Sequence, residues 1–258
     1  MPVQQQCTIV NKVPLGADTF WMVLECGNMV EQTFHAPGQF LHIACPPRFL
    51  RRPISVATCQ SDTPDDGVSI VFRVRGEGTR WLAERGEGET LDVLGLLGNG
   101  FSMEKGGRYL LAGGGIGVPP LYGCAQYAEG KAVAVLGFRS ERQVILADAF
   151  GKSCEGVFLC TDDGSLGFHG FVHQKVAEIL DKDKDFTAIL ACGPKPMLRG
   201  VAEVAARYGL PCQVSMEERM ACGVGACLGC ATPMKDGSMK HVCKDGPVFD
   251  ATEVDWNG

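Results

Sequence analysis

The chain has 258 residues, 45% hydrophobic and 21% charged, with a formal net charge of -6. This is the balance of a folded protein with ample core material. It argues against a disordered chain and against nucleic acid as a default partner, which would need a concentrated basic surface.

At the start, MPVQQQCTIV carries neither a basic segment nor an apolar run, so no secretory leader is expected. Up to about residue 100 the chain reads as short β-rich runs with turn signals: CTIVNKV, FWMVLEC, QFLHIAC, ISVAT, VSIVFRV and TLDVLGL. Six closely spaced runs predict an antiparallel barrel or sandwich, with TRWLAERG as one short helix before the last strand. From about 108 the rhythm alternates. RYLLAGG, AVAVLGF, GVFLCT and TAILACG read as buried strands, separated by the helical stretches PPLYGCAQYAEG, FVHQKVAEILD and KPMLRGVAEVAARYG. That pattern predicts a doubly wound α/β domain on a parallel sheet. The charge-free window 109–128 has the length of a membrane span, but its glycines and Pro119-Pro120 read as a loop. After CQVSME the chain turns Gly- and Cys-rich. The expected parts are a β-barrel over 1–101, an α/β domain over 102–210 and a small module over 211–258.

In the barrel, Arg51-Arg52-Pro53-Ile54-Ser55 offers a guanidinium fork for a pyrophosphate, with a hydroxyl and a backbone N–H in alternation beyond it. Further on, Gly78 and Thr79 open the short helix, where free N–H groups receive a phosphate; a simply capped turn is the alternative. In the second domain, Gly113-Gly114-Gly115-Ile116-Gly117 follows a buried strand and opens a helix. Pro120 stands at the third glycine position of the dinucleotide fingerprint, so a standard Rossmann dehydrogenase is not implied. Cys192-Gly193 ends another strand of the same sheet and is expected at the same crevice, with a buried core thiol as the alternative for Cys192. His169 and His173 are four apart but have Gly170 between them and no third ligand nearby, which argues against a metal there.

The most specific signal is CGVGACLGC followed by a distant Cys. Cys222, Cys227, Cys230 and Cys243 have the plant-type spacing for a [2Fe-2S] cluster, and Gly223, Gly225 and Gly229 let the backbone bend closely round it. A zinc site usually shows two short knuckles, and only Cys227 to Cys230 is one. The other nine of the thirteen Cys lie mostly in apolar strand-like runs. They read as buried hydrophobes of a reducing cytoplasm rather than a disulfide framework.

With RPIS in a β-rich first domain, AGGGIGVPPL and ACGPKPM in an α/β second, and CGVGACLGC with CKDGPVF at the end, the whole chain resembles the ferredoxin reductase superfamily. Within it, MEERMACGVGACLGC and HVCKDGPVF look like the electron-transfer subunits of two-subunit, NAD-linked dihydroorotate dehydrogenases. The resemblance implies that Arg52, Pro53, Ile54, Ser55, Val71, Phe72, Arg73, Gly78 and Thr79 hold FAD. It implies that Gly113, Gly114, Gly115, Gly117, Cys192 and Gly193 face NAD(H), and that the four C-terminal Cys bind the cluster. It also implies an FMN-containing catalytic partner, in a heterotetramer of two of each, with pyrimidine chemistry on that partner and neither nucleic acid nor membrane involved. Leu96 departs from the family, which would carry Pro there. Arg139 and Arg142 follow a strand end and would suit a 2′-phosphate, whereas the family implies NAD. Two rivals are a reductase subunit serving a ferredoxin-like or bifurcating partner, and a non-enzymatic subunit whose cluster senses redox state.

Overall fold

The computed structural model describes residues 2–16, 18–60 and 67–258. It divides into two compact units, one comprising 1–100, 217–232 and 240–247, the other 101–216, 233–239 and 248–258. The C-terminal stretch is therefore shared between them, its cluster-type loop grouping with the barrel.

In the first unit, β1 (Val3–Gly16), β2 (Thr19–Glu25), β3 (Phe40–Ile43), β4 (Arg52–Gln60), β5 (Gly67–Arg73) and β6 (Thr90–Leu97) close a barrel in the order β1-β2-β5-β4-β3-β6. The neighbouring pairs are antiparallel. Strand alternation explains the core: Ile9, Met22, Leu24, Leu41, Ile43, Ile70, Phe72 and Val93 point inward and are buried. Two short helices accompany the barrel, α1 (Met29–Thr33), which the sequence pattern did not announce, and α2 (Glu77–Ala83). Leu82 anchors α2 in the core. Lys12 Nζ donates to the Ala83 and Arg85 carbonyls at its C-terminal end, where a cation suits the helix dipole. Cys7, Cys26 and Cys45 are buried in the same core as free thiols.

In the second unit, β7 (Tyr109–Gly114), β8 (Ala132–Phe138), β9 (Gly156–Thr161), β10 (Phe168–His169), β11 (Ala188–Cys192) and β12 (Cys212–Ser215) pair in parallel. Two short tail strands, β13 (Ala231–Pro233) and β14 (Met239–His241), form a separate ribbon, and β15 (Val248–Asp250) adds an antiparallel edge to the large sheet. The sheet order is β10-β9-β8-β7-β11-β12-β15. The helices are α3 (Val118–Tyr127), α4 (Ala147–Ser153), α5 (Val172–Leu180) and α6 (Lys195–Tyr208). From β7 the chain first builds outward through β8 and β9, then returns to place β11 on the other side. The switch point, where such sheets bind ligands, thus lies between β7 and β11. Among the described residues, no helix is long and apolar enough to cross a membrane.

Just before β7, Arg108 ties several segments together. Its guanidinium donates to Glu155 at 3.0 and 2.8 Å and to Asp183 at 2.8 Å, and stacks 4.4 Å over the Phe186 ring. With its side chain 26% exposed, Arg108→Ala is expected to cost about 1–3 kcal/mol. A lower urea midpoint at unchanged m-value would register it.

Candidate functional site

The two phosphate-suited elements of the barrel meet. Arg52 opens β4, and its guanidinium lies so close to the first turn of α2 that a Cβ on Gly78 would strike it. Arg52 Nη1 donates to the Leu50 carbonyl at 2.5 Å, which steadies the side chain beside those N–H groups. Its neighbour has another role. Arg51 donates to the Asp92 carboxylate at 2.8 Å and to the Asp92 and His42 carbonyls at 2.9 and 3.2 Å, so it pins β6 and β3 to the start of β4. The sequence offers both arginines; only Arg52 is left to face a ligand.

Alternation sorts the remaining flavin candidates. Ile54 packs against the barrel core, so Pro53 and Ser55 turn outward and are half-buried. Phe72 belongs to the core and stacks on Phe20 at 5.7 Å, so its contribution to the outer face is main chain. Val71 and Arg73 alternate to the other face, and Arg73 Nε donates to Thr19 Oγ1 at 3.3 Å. The Thr79 hydroxyl accepts from the N–H groups of Arg75 and Gly76 at 2.9 and 3.2 Å. That side chain acts as the helix cap, and only the backbone of the turn remains for an anion.

The four thiols of the C-terminal loop lie within the same unit. Cys230 and Cys243 are buried, Cys222 is half-buried and Cys227 exposed. Gly223 (φ +73°) and Gly225 (φ +79°) adopt the left-handed conformation that folds the loop back on itself. The result aims amides at sulfur. Cys222 Sγ accepts from Val224, Ala226 and Cys227 N–H at 3.4, 3.3 and 3.4 Å, Cys243 Sγ from Gly225 at 3.1 Å, and Cys230 Sγ from Cys243 at 3.4 Å. Burial pushes the Cys222 thiol up, but donation from the N–H groups of Val224 and Cys227, the Cys227 thiol and Ala226 N–H outweighs it and brings the pKa down to about 6. Burial and then the Cys230 thiol push Cys243 up to about 12.

The thiols therefore interact as pairs, Cys222 with Cys227 and Cys230 with Cys243. Among the described residues, no group of three or more His, Cys, Asp or Glu is disposed to hold a single metal ion. Thiols that draw converging N–H donors suit an iron-sulfur core, whose sulfurs accept such bonds, and Cys222, Cys227, Cys230 and Cys243 are the residues that would hold it.

Beneath this loop sits a residue the sequence reading passed over. His42 lies in the middle of FLHIAC and is completely buried, with neither ring nitrogen hydrogen-bonded. Burial and then the Arg51 charge pull its pKa down to about 4, although the Arg51 and Cys222 carbonyls act in the opposite sense. An unpaired buried polar group costs about 1–3 kcal/mol. The available signal was a lone His in an otherwise apolar strand.

In the second unit, the glycine loop and Cys192-Gly193 come together at the carboxyl ends of adjacent strands, with Gly113 in register with Cys192. Gly115 is left-handed at φ +55°. A Cβ on Gly117 would stand 2.5 Å from the Cys192 carbonyl oxygen and 2.6 Å from Gly193 N, and backbone cannot give way as a side chain can. The Cys192 thiol is only 3% exposed. Gly117→Ala is therefore expected to push the loop off the end of β11. If this crevice holds the nicotinamide dinucleotide, reduction by NADH should slow at least about 100-fold in stopped-flow, with flavin and iron content unchanged. Elsewhere, His173 stacks on Phe171 at 5.8 Å and His169 packs beside Gly164.

Comparison with known proteins adds three findings. A family model, the iron-sulfur cluster binding domain of dihydroorotate dehydrogenase B, matches residues 217–255. Curated relatives described as dihydroorotate dehydrogenase B (NAD(+)), electron transfer subunit, include one from Bacillus caldolyticus, 40% identical over 97% of this chain and 98% of its own length. Another, from Fusobacterium nucleatum, is 37% identical over 97% and 98%. Among solved structures, one reported for an NADH-dependent reduced ferredoxin-NADP oxidoreductase, in work on flavin-based electron bifurcation, superposes with TM-score 0.86. It is 32% identical and covers 97% of this chain and 90% of its own. The ferredoxin reductase in carbazole 1,9a-dioxygenase (TM-score 0.68, 22% identical, 81% and 67% covered) shares the fold.

Proposed function

This chain belongs to the family of electron-transfer subunits of NAD-linked dihydroorotate dehydrogenase, and we propose that it carries electrons between NAD(H) and an FMN-containing catalytic partner through FAD and a [2Fe-2S] cluster. The observation that carries this reading is the presence, within one compact unit, of the Arg52–Gly78 cradle and four thiols beneath converging amides. Bound FAD supplies the change from two-electron to one-electron transfer, and the cluster supplies one-electron storage.

The chain's own residues have the task of positioning. The Arg52 guanidinium and the first-turn amides at Gly78 and Thr79 hold the pyrophosphate. Pro53, Ser55 and the outer edge of Val71, Phe72 and Arg73 present the strand face against which the flavin lies. Gly113, Gly114, Gly115 and Gly117, with Cys192 and Gly193, receive the dinucleotide at the switch point. Cys222, Cys227, Cys230 and Cys243 are the cluster ligands. Val224 and Leu228, 40% and 59% exposed beside exposed Cys227, offer the apolar contact at which the partner docks. The functional segments are 1–101, 102–210 and 211–258, and the complex is a cytoplasmic heterotetramer of two of each subunit.

A second reading is favoured by the bifurcation-related structure that covers nearly all of this chain. In it, the same cofactors serve a ferredoxin-like or bifurcating partner. Anaerobic purification with native partners separates the two. The first reading expects a co-purifying FMN protein and cluster bleaching by dihydroorotate only when that protein is present. Bleaching by dihydroorotate without any partner would contradict it.

A further inference from the structure

His42 plays no part in the site described above, yet it lies between its two halves. Leu41 and Ile43 fill the barrel core, so alternation turns Phe40 and His42 outward. In the β3–β4 register His42 faces Pro53 and Phe40 faces Ser55. His42 thus shares its outer face with the two residues that would present the flavin edge. The cluster loop covers it. A Cβ on Gly223 would stand 2.5 Å from Nδ1 and 3.3 Å from Cε1, so the ring packs against the backbone immediately after Cys222. Both nitrogens are buried and neither makes a well-aligned hydrogen bond, the nearby Arg51 and Cys222 carbonyls included. An imidazole in any protonation state found in proteins carries at least one N–H, and buried donors in folded proteins almost always have an acceptor.

We propose that His42 contacts the cofactor directly: its ring N–H donates to a sulfur on the Cys222 side of the [2Fe-2S] cluster. The inference rests on the cluster reading above. Cys222 Sγ already draws three backbone donors from its own loop, and His42 adds a side-chain donor from β3. Hydrogen bonds to cluster sulfur stabilise the more negative, reduced core, so this donor raises the cluster's potential. It also registers the cluster against the strand that faces the flavin.

The test uses the full chain loaded with FAD and cluster, with its histidines labelled with the heavy nitrogen isotope. Pulsed EPR of the reduced cluster should detect coupling to a histidine nitrogen, and that coupling should vanish in His42→Gln and His42→Phe. At a fixed applied potential, the reduced-to-oxidised ratio of the cluster should fall about tenfold in His42→Phe, equivalent to about 59 mV for one electron. His42→Gln, which keeps an N–H donor, should recover part of the loss. Should His42→Phe fail to accumulate, the wild-type coupling and its loss in His42→Gln decide the matter. A cluster without histidine coupling, a coupling that survives in His42→Gln, or an unchanged ratio in His42→Phe would overturn this inference alone. Absence of any iron-sulfur signal would overturn the cluster reading and this inference with it.

Discussion

Cys230→Ala is expected to give a yellow, NADH-reducible flavoprotein without a cluster. Cys230 is 1% exposed, and its sulfur lies within the loop where it accepts the Cys243 N–H. An Ala there leaves a methyl where an iron requires a thiolate, and buried apolar surroundings admit no water as substitute. Iron and acid-labile sulfide should fall to background. Electron delivery to the partner should fall more than about 100-fold, beyond the usual loss from outer-shell changes alone. The flavin cradle is formed by β4 and α2, so NADH should still bleach the flavin at close to the normal rate. Loss of FAD along with the iron would show that the barrel depends on the loaded loop.

Arg52→Ala should have the complementary effect. Hydrogen bonds from a guanidinium to phosphate oxygens contribute about 1.5–3 kcal/mol each, and a bidentate pair is expected to account for more than about 100-fold in FAD affinity. Flavin released on gel filtration, with iron retained and the melting temperature of the FAD-free chain unchanged, is the expected result. Arg51→Ala next door should behave differently. It removes the charged donor that ties the Asp92 carboxylate and the Asp92 and His42 carbonyls together, leaving the carboxylate only Gln4, so it should lower the stability of the barrel whether or not FAD is bound. Equal FAD loss from the two variants, with no difference in stability, would remove the distinction drawn between the neighbouring arginines.

That distinction marks the limit of what the sequence makes legible. AVAVLGF runs as a continuous apolar strand because a parallel sheet buries both faces, and it matches β8 residue for residue; GVFLCT matches β9 as closely, although that strand is only partly covered and Phe158 is exposed. The cluster loop is equally readable, since four thiols at that spacing with interleaved glycines have few other uses. What sequence alone does not reveal is set by tertiary partners. Arg51 and Arg52 are identical side chains one residue apart, and only the position of Asp92 on β6 separates their roles. The Thr79 hydroxyl is claimed by its own helix start. The short helices α1 and α4 are too brief to show a period. Val248–Asp250 carries too little pattern to announce that it returns to the edge of the large sheet. His42 is hidden because an apolar strand with one polar residue looks like a strand with one solvent-facing position, and the covering loop lies some 180 residues away in sequence.

Electron passage from NADH through flavin to the iron-sulfur centre can be followed in an anaerobic NADH titration of the purified chain, read by absorbance and EPR together. Uptake of about three electron equivalents per chain is expected, about two on flavin and one on the cluster, with a reduced iron-sulfur EPR signal growing as the flavin bleaches. A colourless polypeptide, or one that releases zinc and no acid-labile sulfide, would contradict it.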